Sequence, residues 1–145
     1  MKILICGLPG SGKTTLAREL AYHFNIPHYN ADVMREFNDD WDFSERGRMI
    51  QALRMRNTPY GIMDFVAPLQ NLRNAAHPDF TIWMNTIEEG RFEDTNKLFV
   101  KPHNPDIEVT QWIGLDRLRS SLEGFNPGIK GIQSYLKEQF PKLVK

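Results

Sequence analysis

Residues 2–8 read Lys-Ile-Leu-Ile-Cys-Gly-Leu. A short unbroken apolar run closed by glycine predicts a strand buried on both faces. From Lys13 the period changes: Leu16, Leu20 and Phe24 recur every four residues, with Ala17 and Ala21 beside them. That is the apolar stripe of a helix, and Pro27 ends it. Residues 28–32 predict a second short strand. Ser44, just ahead of Glu45, predicts an N-cap and a helix running to about Arg56. Residues 60–66 predict a third strand closed by Pro68, and residues 69–76 a short helix. Residues 80–86 (Phe-Thr-Ile-Trp-Met-Asn-Thr) carry strong strand propensity. Residues 87–106 are mostly polar without a clean period and predict a loop or lid. Residues 107–112 predict a last strand. Ile129, Ile132, Leu136 and Phe140 predict a C-terminal helix that begins after Asn126-Pro127-Gly128.

Strands alternating with helices imply crossover connections and a parallel sheet, an α/β chain. With 145 residues and no repeat, low-complexity tract or obvious linker, one domain over 1–145 is expected. Basic and acidic residues balance at 18 each, which argues against a general nucleic-acid or membrane-surface binder, since either needs excess positive charge. Cys6 is the one cysteine, so no intramolecular disulfide or thiolate zinc cluster can form, and its apolar run marks it as a buried strand residue. No signal peptide is visible ahead of the first strand, and no apolar run approaches the roughly 20 residues a membrane-spanning helix needs. A cytoplasmic location is expected.

Gly7-Leu8-Pro9-Gly10-Ser11-Gly12-Lys13-Thr14 fits the phosphate-loop pattern G-x-x-x-x-G-K-S/T at every defined position. Glycines let the backbone curl so that successive N–H groups point at phosphates, and the helix that follows adds the partial positive charge of its N-terminus. Lys13 would reach the β- and γ-phosphates of ATP, and the Thr14 hydroxyl would ligate magnesium. Lys13 is expected to lie exposed in the cradle. A strand before the motif and an amphipathic helix after it supply its confirming context. The phosphate-binding set is therefore Gly7, Pro9, Gly10, Ser11, Gly12, Lys13, Thr14 and Thr15. The fold such a loop implies is a P-loop NTPase three-layer sandwich, a parallel sheet of about five strands with helices on both faces.

The acceptor should lie at the other strand ends, where open α/β sheets bind ligands. Asn30-Ala31-Asp32 would end the second strand, with Arg35 one turn later. Asp32 would orient an acceptor hydroxyl or hold metal-bound water, with Arg35 clamping an anion; or Asp32 is a helix cap and Arg35 a solvated residue. Arg46, Arg48, Arg54 and Arg56 follow, but Arg48 and Arg54 are six apart and need not share a helix face. Asp64, in the run Ile62-Met63-Asp64-Phe65, is a candidate to support magnesium through water, or it merely caps a turn or faces solvent.

Taken in order, these residues resemble the adenylylsulfate kinase family, which phosphorylates adenosine 5′-phosphosulfate at its 3′-hydroxyl. The family's G-L-x-G-x-G-K-S/T-T is similar to Gly7 to Thr15, and its D-G-D-N-V-R to Asn30-Ala31-Asp32-Val33-Met34-Arg35. Its G-F-S-x-x-D-R-x-x-N-I-R-R is similar to Asp42-Phe43-Ser44-Glu45-Arg46-Gly47-Arg48, then Gln51 and Arg54. Its F-I-S-P turn is similar to Phe65-Val66-Ala67-Pro68, and its P-x-N-P-D-I to Pro102-His103-Asn104-Pro105-Asp106-Ile107. The resemblance runs from residue 3 to about 110. It implies that Asp32 acts on the acceptor hydroxyl and that Arg35, Arg48 and Arg54 hold the sulfate-phosphate end and ribose. It also implies that Phe43 stacks on adenine, that Val66 and Ala67 offer backbone contacts, and that ATP lies near the turn containing Pro105. A homodimer is what the family often forms.

The sequence departs from the family at Asn30, Gly47 and Gln51, where the family has Asp, Asp and Asn. Its lid is also more acidic, from Gly90 through Arg91, Glu93 and Asp94 to Phe99. Three readings follow: an adenylylsulfate kinase, a P-loop kinase for another acceptor (a nucleotide, a polynucleotide end or a small metabolite), or a nucleotide-binding module without transfer chemistry. Lys13, Thr14, Asp32 and Arg35 together favour an enzyme.

Overall fold

A computed structural model describes residues 1–90 and 92–111. Five parallel strands form one sheet in the order β2-β3-β1-β4-β5: β1 Lys2–Gly7, β2 His28–Asn30, β3 Gly61–Asp64, β4 Phe80–Met84 and β5 Ile107–Val109. Between them run α1 Lys13–Phe24, α2 Ala31–Asn38, α3 Glu45–Arg56, α4 Gln70–Ala76 and α5 Glu93–Leu98.

Alternation along β1 divides the core. Ile3 and Ile5 point to one face, where Leu16, Ala17, Leu20 and Phe24 of α1 cover them together with Ile62, Ile82 and Ile107. Leu4 and Cys6 point to the other, against Ala52 and Met55 of α3 and Leu72 and Ala76 of α4. Two apolar faces need two helical layers, which gives the three-layer arrangement. Ile3, Leu4, Ile5, Leu16 and Leu20 are all fully buried, each contributing about 1.5–3 kcal/mol by leaving water.

Three expectations need correction. The second strand stops at Asn30, not Asp32, because the Asn30 side chain accepts the Val33 N–H and starts α2 there. Asp32 therefore sits in the first turn of a helix rather than at a strand end. The polar stretch 87–106 is not all loop: it holds α5, whose short ladder includes Phe99 N–H donating to Thr95 O at 2.9 Å. Ser44, as expected, caps α3 by accepting from Gly47 N–H. Trp112, the C-terminal helix expected around Ile129 to Phe140, and lid residue Arg91 lie outside the described residues.

Candidate active site

The phosphate loop leaves the C-terminal end of β1 in the middle of the sheet. Gly12 has φ 98°, a left-handed turn that alanine resists, and it starts α1 without a side-chain cap on the first N–H groups. Gly7 must lack a side chain, because a Cβ there would lie 2.6 Å from Met84 O and 2.9 Å from Ser11 Oγ. Ser11 N–H closes the loop on Leu8 O at 3.1 Å, and Thr86 Oγ1 donates to Ser11 O at 2.7 Å. The Ser11 hydroxyl is buried with no hydrogen-bond partner among the described residues, a polar atom that a phosphate oxygen would satisfy. Lys13 departs from expectation. It is buried, and its Nζ bends back to Leu8 O at 3.0 Å because the curled backbone brings that carbonyl within its reach. Thr14 and Pro9 are half-buried, while Gly10 and Thr15 are exposed.

Asp64 ends β3, the neighbour of β1, and is 1% exposed. Its Oδ2 accepts from His28 Nε2 at 3.0 Å and from Asn30 Nδ2 at 2.9 Å, and Asn30 Nδ2 also reaches Thr14 Oγ1 at 3.3 Å. Burial alone would raise this carboxyl. Hydrogen bonds from His28, Asn30 and Thr14, with the charge of Lys13, outweigh it and hold the group below its ordinary value. An ionised carboxylate beside a threonine hydroxyl at the mouth of a phosphate loop is a hard-oxygen donor set that fits magnesium. Among the described residues no cluster of three His, Cys, Asp or Glu side chains could hold a metal alone, and a magnesium shared with substrate phosphates needs only one or two protein oxygens.

A second cluster lies where α2, the 39–44 loop and α3 meet. Arg35 is 3% exposed; its guanidinium donates to Asp40 O at 3.0 Å and Asp42 O at 3.1 Å and lies 4.3 Å from the Phe43 ring centre. Arg48 covers the same ring at 5.5 Å and donates Nε–H to Phe43 O at 2.8 Å. Arg54 pairs with Asp40 at 2.7 Å and donates to Gln51 Oε1 at 3.0 Å. Burial pushes the Arg35 guanidinium down; Asp40 pulls it up, Arg54 and Arg48 push further down, and Asp32 pulls back. Arg35 and Arg48 flank the half-exposed Phe43 ring, and Arg54 joins them through Asp40, although Arg48 and Arg54 are six residues apart; the charge of Asp32 acts on Arg35. Burial also lowers Arg48, while the charge of Asp94 in α5 pulls it back up.

The turn after β3 sits against the phosphate loop: Val66 O accepts from Gly7 N–H at 3.4 Å, and Ala67 is buried with φ 43°, a strained conformation for alanine. Pro105 is not brought to the site. It precedes β5, where Asp106 N–H donates to Thr81 O and Asp106 Oδ2 accepts from Thr81 N–H. Thr81 lies three residues before Met84, the level of Gly7, so this turn is about 10 Å down the strands toward their N-terminal ends.

The lid is tied at both ends. Gly90 is packed so closely on the phosphate loop that a Cβ would lie 2.9 Å from Pro9 O, and the Asn96 amide bonds Gly90 in both directions at 2.7 and 3.1 Å. At the far end Val100 N–H donates to Pro68 O, and buried Arg73 of α4 donates to Val100 O and stacks on Phe99. His28 and Thr86 were not anticipated as site residues. His28 and Asn30 alternate onto one face of β2, a period-two signal that points both toward Asp64.

The family described as AAA domain matches residues 6–59. A 37-residue stretch is 49% identical to an adenylate kinase of Pseudothermotoga lettingae; it covers 25% of this chain, and the chain spans about a sixth of that relative, 17%. The fold matches the adenylylsulfate kinase of Mycobacterium tuberculosis in complex with AMPPNP and APS (TM-score 0.61, 19% identity, 80% of this chain and 88% of that one). It equally matches the shikimate kinase of Aquifex aeolicus (TM-score 0.61, 18% identity, 96% and 98%). The chain has the P-loop NTPase fold found in these kinases. No helix among the described residues is long and apolar enough to cross a membrane.

Proposed function

We propose that the chain is an ATP-dependent phosphotransferase that transfers the γ-phosphoryl group to the 3′-hydroxyl of adenosine 5′-phosphosulfate, a role in sulfate assimilation. The observation that carries the phosphotransferase reading is the meeting of two clusters. Lys13, Thr14 and Asp64 gather at the phosphate loop, and Asn30, which touches Thr14 and Asp64, opens the helix bearing Asp32 and Arg35. Lys13 leaves the Leu8 carbonyl for the phosphates and offsets the charge that develops on the transferred group. Thr14 and Asp64 would hold magnesium, Asp64 through water; bound there, the ion would neutralise charge on the β- and γ-phosphate oxygens. Asp32 orients the acceptor hydroxyl and takes its proton as oxygen attacks phosphorus and ADP departs. Phe43 stacks on the acceptor base, Arg35, Arg48 and Arg54 hold its anionic end, and the turn at Val66 and Ala67 offers backbone contacts. A cytoplasmic single domain, with a homodimer as its assembly, goes with this reading.

A second reading keeps the mechanism and changes the acceptor. Arg54 is already paired with Asp40, Arg35 already donates to two carbonyls, and the negative charge of Asp94 already acts on Arg48. That favours an acceptor with less negative charge than a phosphosulfate. A transfer assay with γ-labelled ATP decides between them, using adenosine 5′-phosphosulfate, nucleosides, nucleic-acid ends and small hydroxylated metabolites as acceptors and Lys13→Ala as control. Label on adenosine 5′-phosphosulfate supports the first reading, and label only on another hydroxyl the second. No transfer to any acceptor refutes both.

A further inference from the structure

The β2 strand presents two donors to one oxygen. His28 and Asn30 stand two residues apart on the same face, and both donate to Oδ2 of Asp64, at 3.0 and 2.9 Å. The donor roles are fixed by chemistry: an ionised carboxylate only accepts, so His28 Nε2 and Asn30 Nδ2 must carry the hydrogens. The other end of the Asn30 amide is fixed too, because Val33 N–H can only donate and Oδ1 accepts it at 3.0 Å. One planar group therefore touches the carboxylate, the Thr14 hydroxyl at 3.3 Å and the first turn of α2.

We infer that His28 and Asn30 are positioning residues for the magnesium site proposed above: they hold Oδ2 of Asp64 and so orient its carboxylate for the metal-bound water, and Asn30 couples that site to the helix carrying Asp32 and Arg35. The inference rests on the phosphotransferase reading for the site, adds His28 to it and gives Asn30 a role at the metal that reading does not assign. It also recasts Asn30. Where the resembled family has a carboxylate, this chain has an amide that supplies a donor, caps a helix and adds no charge beside Asp64.

The test measures Mn²⁺ binding to the full chain with a non-hydrolysable ATP analogue by electron paramagnetic resonance, alongside thermal unfolding. Asn30→Ser keeps a capping oxygen of similar strength and loses the amide donor. His28→Ala loses the other donor, and His28→Gln keeps one. Asn30→Ser and His28→Ala should each weaken Mn²⁺ binding about tenfold or more, as removing partners of metal ligands does, while metal-free analogue binding stays unchanged. His28→Gln should recover most of the loss. Mn²⁺ affinity equal to the parent in both variants, with only the melting temperature lowered, overturns the inference and leaves the phosphotransferase reading standing. A parent chain that binds the analogue with no Mn²⁺ at all overturns both. Should the variants fail to fold, the unaltered protein still decides: the Asn30 side-chain amide resonance should shift when Mg²⁺ joins the analogue complex, and an unmoved resonance overturns the coupling.

Discussion

Gly47→Ala sets two rules against each other, and the structure says which wins. Gly47 lies in the first turn of α3, where alanine should gain about 1 kcal/mol in helix propensity. A Cβ at that position, however, would stand 2.2 Å from the main-chain oxygen of Asp42, 2.4 Å from its Cγ and 2.7 Å from its Cβ. Moving a flexible side-chain tip cannot relieve a backbone oxygen, so the 39–44 loop must retreat by roughly 1 Å to reach ordinary contact. That retreat pulls on Ser44 N–H to Asp42 Oδ1 at 2.9 Å, Arg35 to Asp42 O at 3.1 Å and Asp42 N–H to Asp40 Oδ1 at 3.1 Å. Overpacking costs about 1–3 kcal/mol and each lost hydrogen bond about 1 kcal/mol, and the two costs overlap. The expected net loss is about 1–3 kcal/mol, or roughly 3–4 °C of Tm per kcal/mol for a chain of this size. Urea denaturation followed by circular dichroism measures it. A Gly47→Ala chain as stable as its parent, or more so, would refute the reasoning, since propensity would then have won.

Asp32→Asn should lower turnover about 10²- to 10⁴-fold with little change in Tm, because Asp32 is exposed in a helix's first turn; an unchanged rate would return it to a surface role. Asp64 gives a pH prediction. Its carboxyl is held below the ordinary 3.8 in the folded chain, so the unfolded chain binds more protons as pH falls. Its stabilising contribution is complete above 3.8 and is lost as pH drops through the lowered folded value. Stability measured against pH from 5 downward should therefore fall less steeply in Asp64→Asn than in the parent, and parallel slopes would count against the hydrogen-bonded carboxylate.

What could be read in advance followed from periodicity. The apolar run of β1 and the four-residue repeat of Leu16, Leu20 and Phe24 are dictated by burial, and the core uses each of them. The cap at Ser44 was legible because a side-chain oxygen ahead of a helix has one favoured use. Helix α2 was legible only as an alternative, through a cap at Asp32: its i, i+4 apolar pair, Val33 and Phe37, is 64% and 90% exposed, so the helical period carries no burial signal. The clustering of Arg35, Arg48 and Arg54 depends on how the 39–44 loop folds back under Asp40 and Asp42, which no local pattern encodes. Pro105 lies away from the phosphate loop for a related reason. Its motif resembles a family segment, but β5 must start beside Thr81 to run parallel to β4, and that carries the turn to the far end of the sheet. The burial of Lys13 is not encoded locally either, because the reach of Nζ to Leu8 O depends on how the loop curls.

The strand order also has a consequence during synthesis. β1 emerges from the ribosome before its partners, yet both of its edges are completed by strands made much later, β3 at Gly61–Asp64 and β4 at Phe80–Met84. At translation rates of about 5–20 residues per second, both edges of β1 stay unpaired for roughly 3–11 s until Asp64 is made, and the β4 edge for roughly 4–15 s until Met84 is made. Through that interval Ile3, Leu4, Ile5 and Cys6 are open to any passing strand, and the phosphate loop, which leaves β1 directly, has no platform on which to curl. A nascent chain halted before residue 80 should therefore bind holdase chaperones and ignore nucleotide, and the ability to bind ATP should arrive late and all at once.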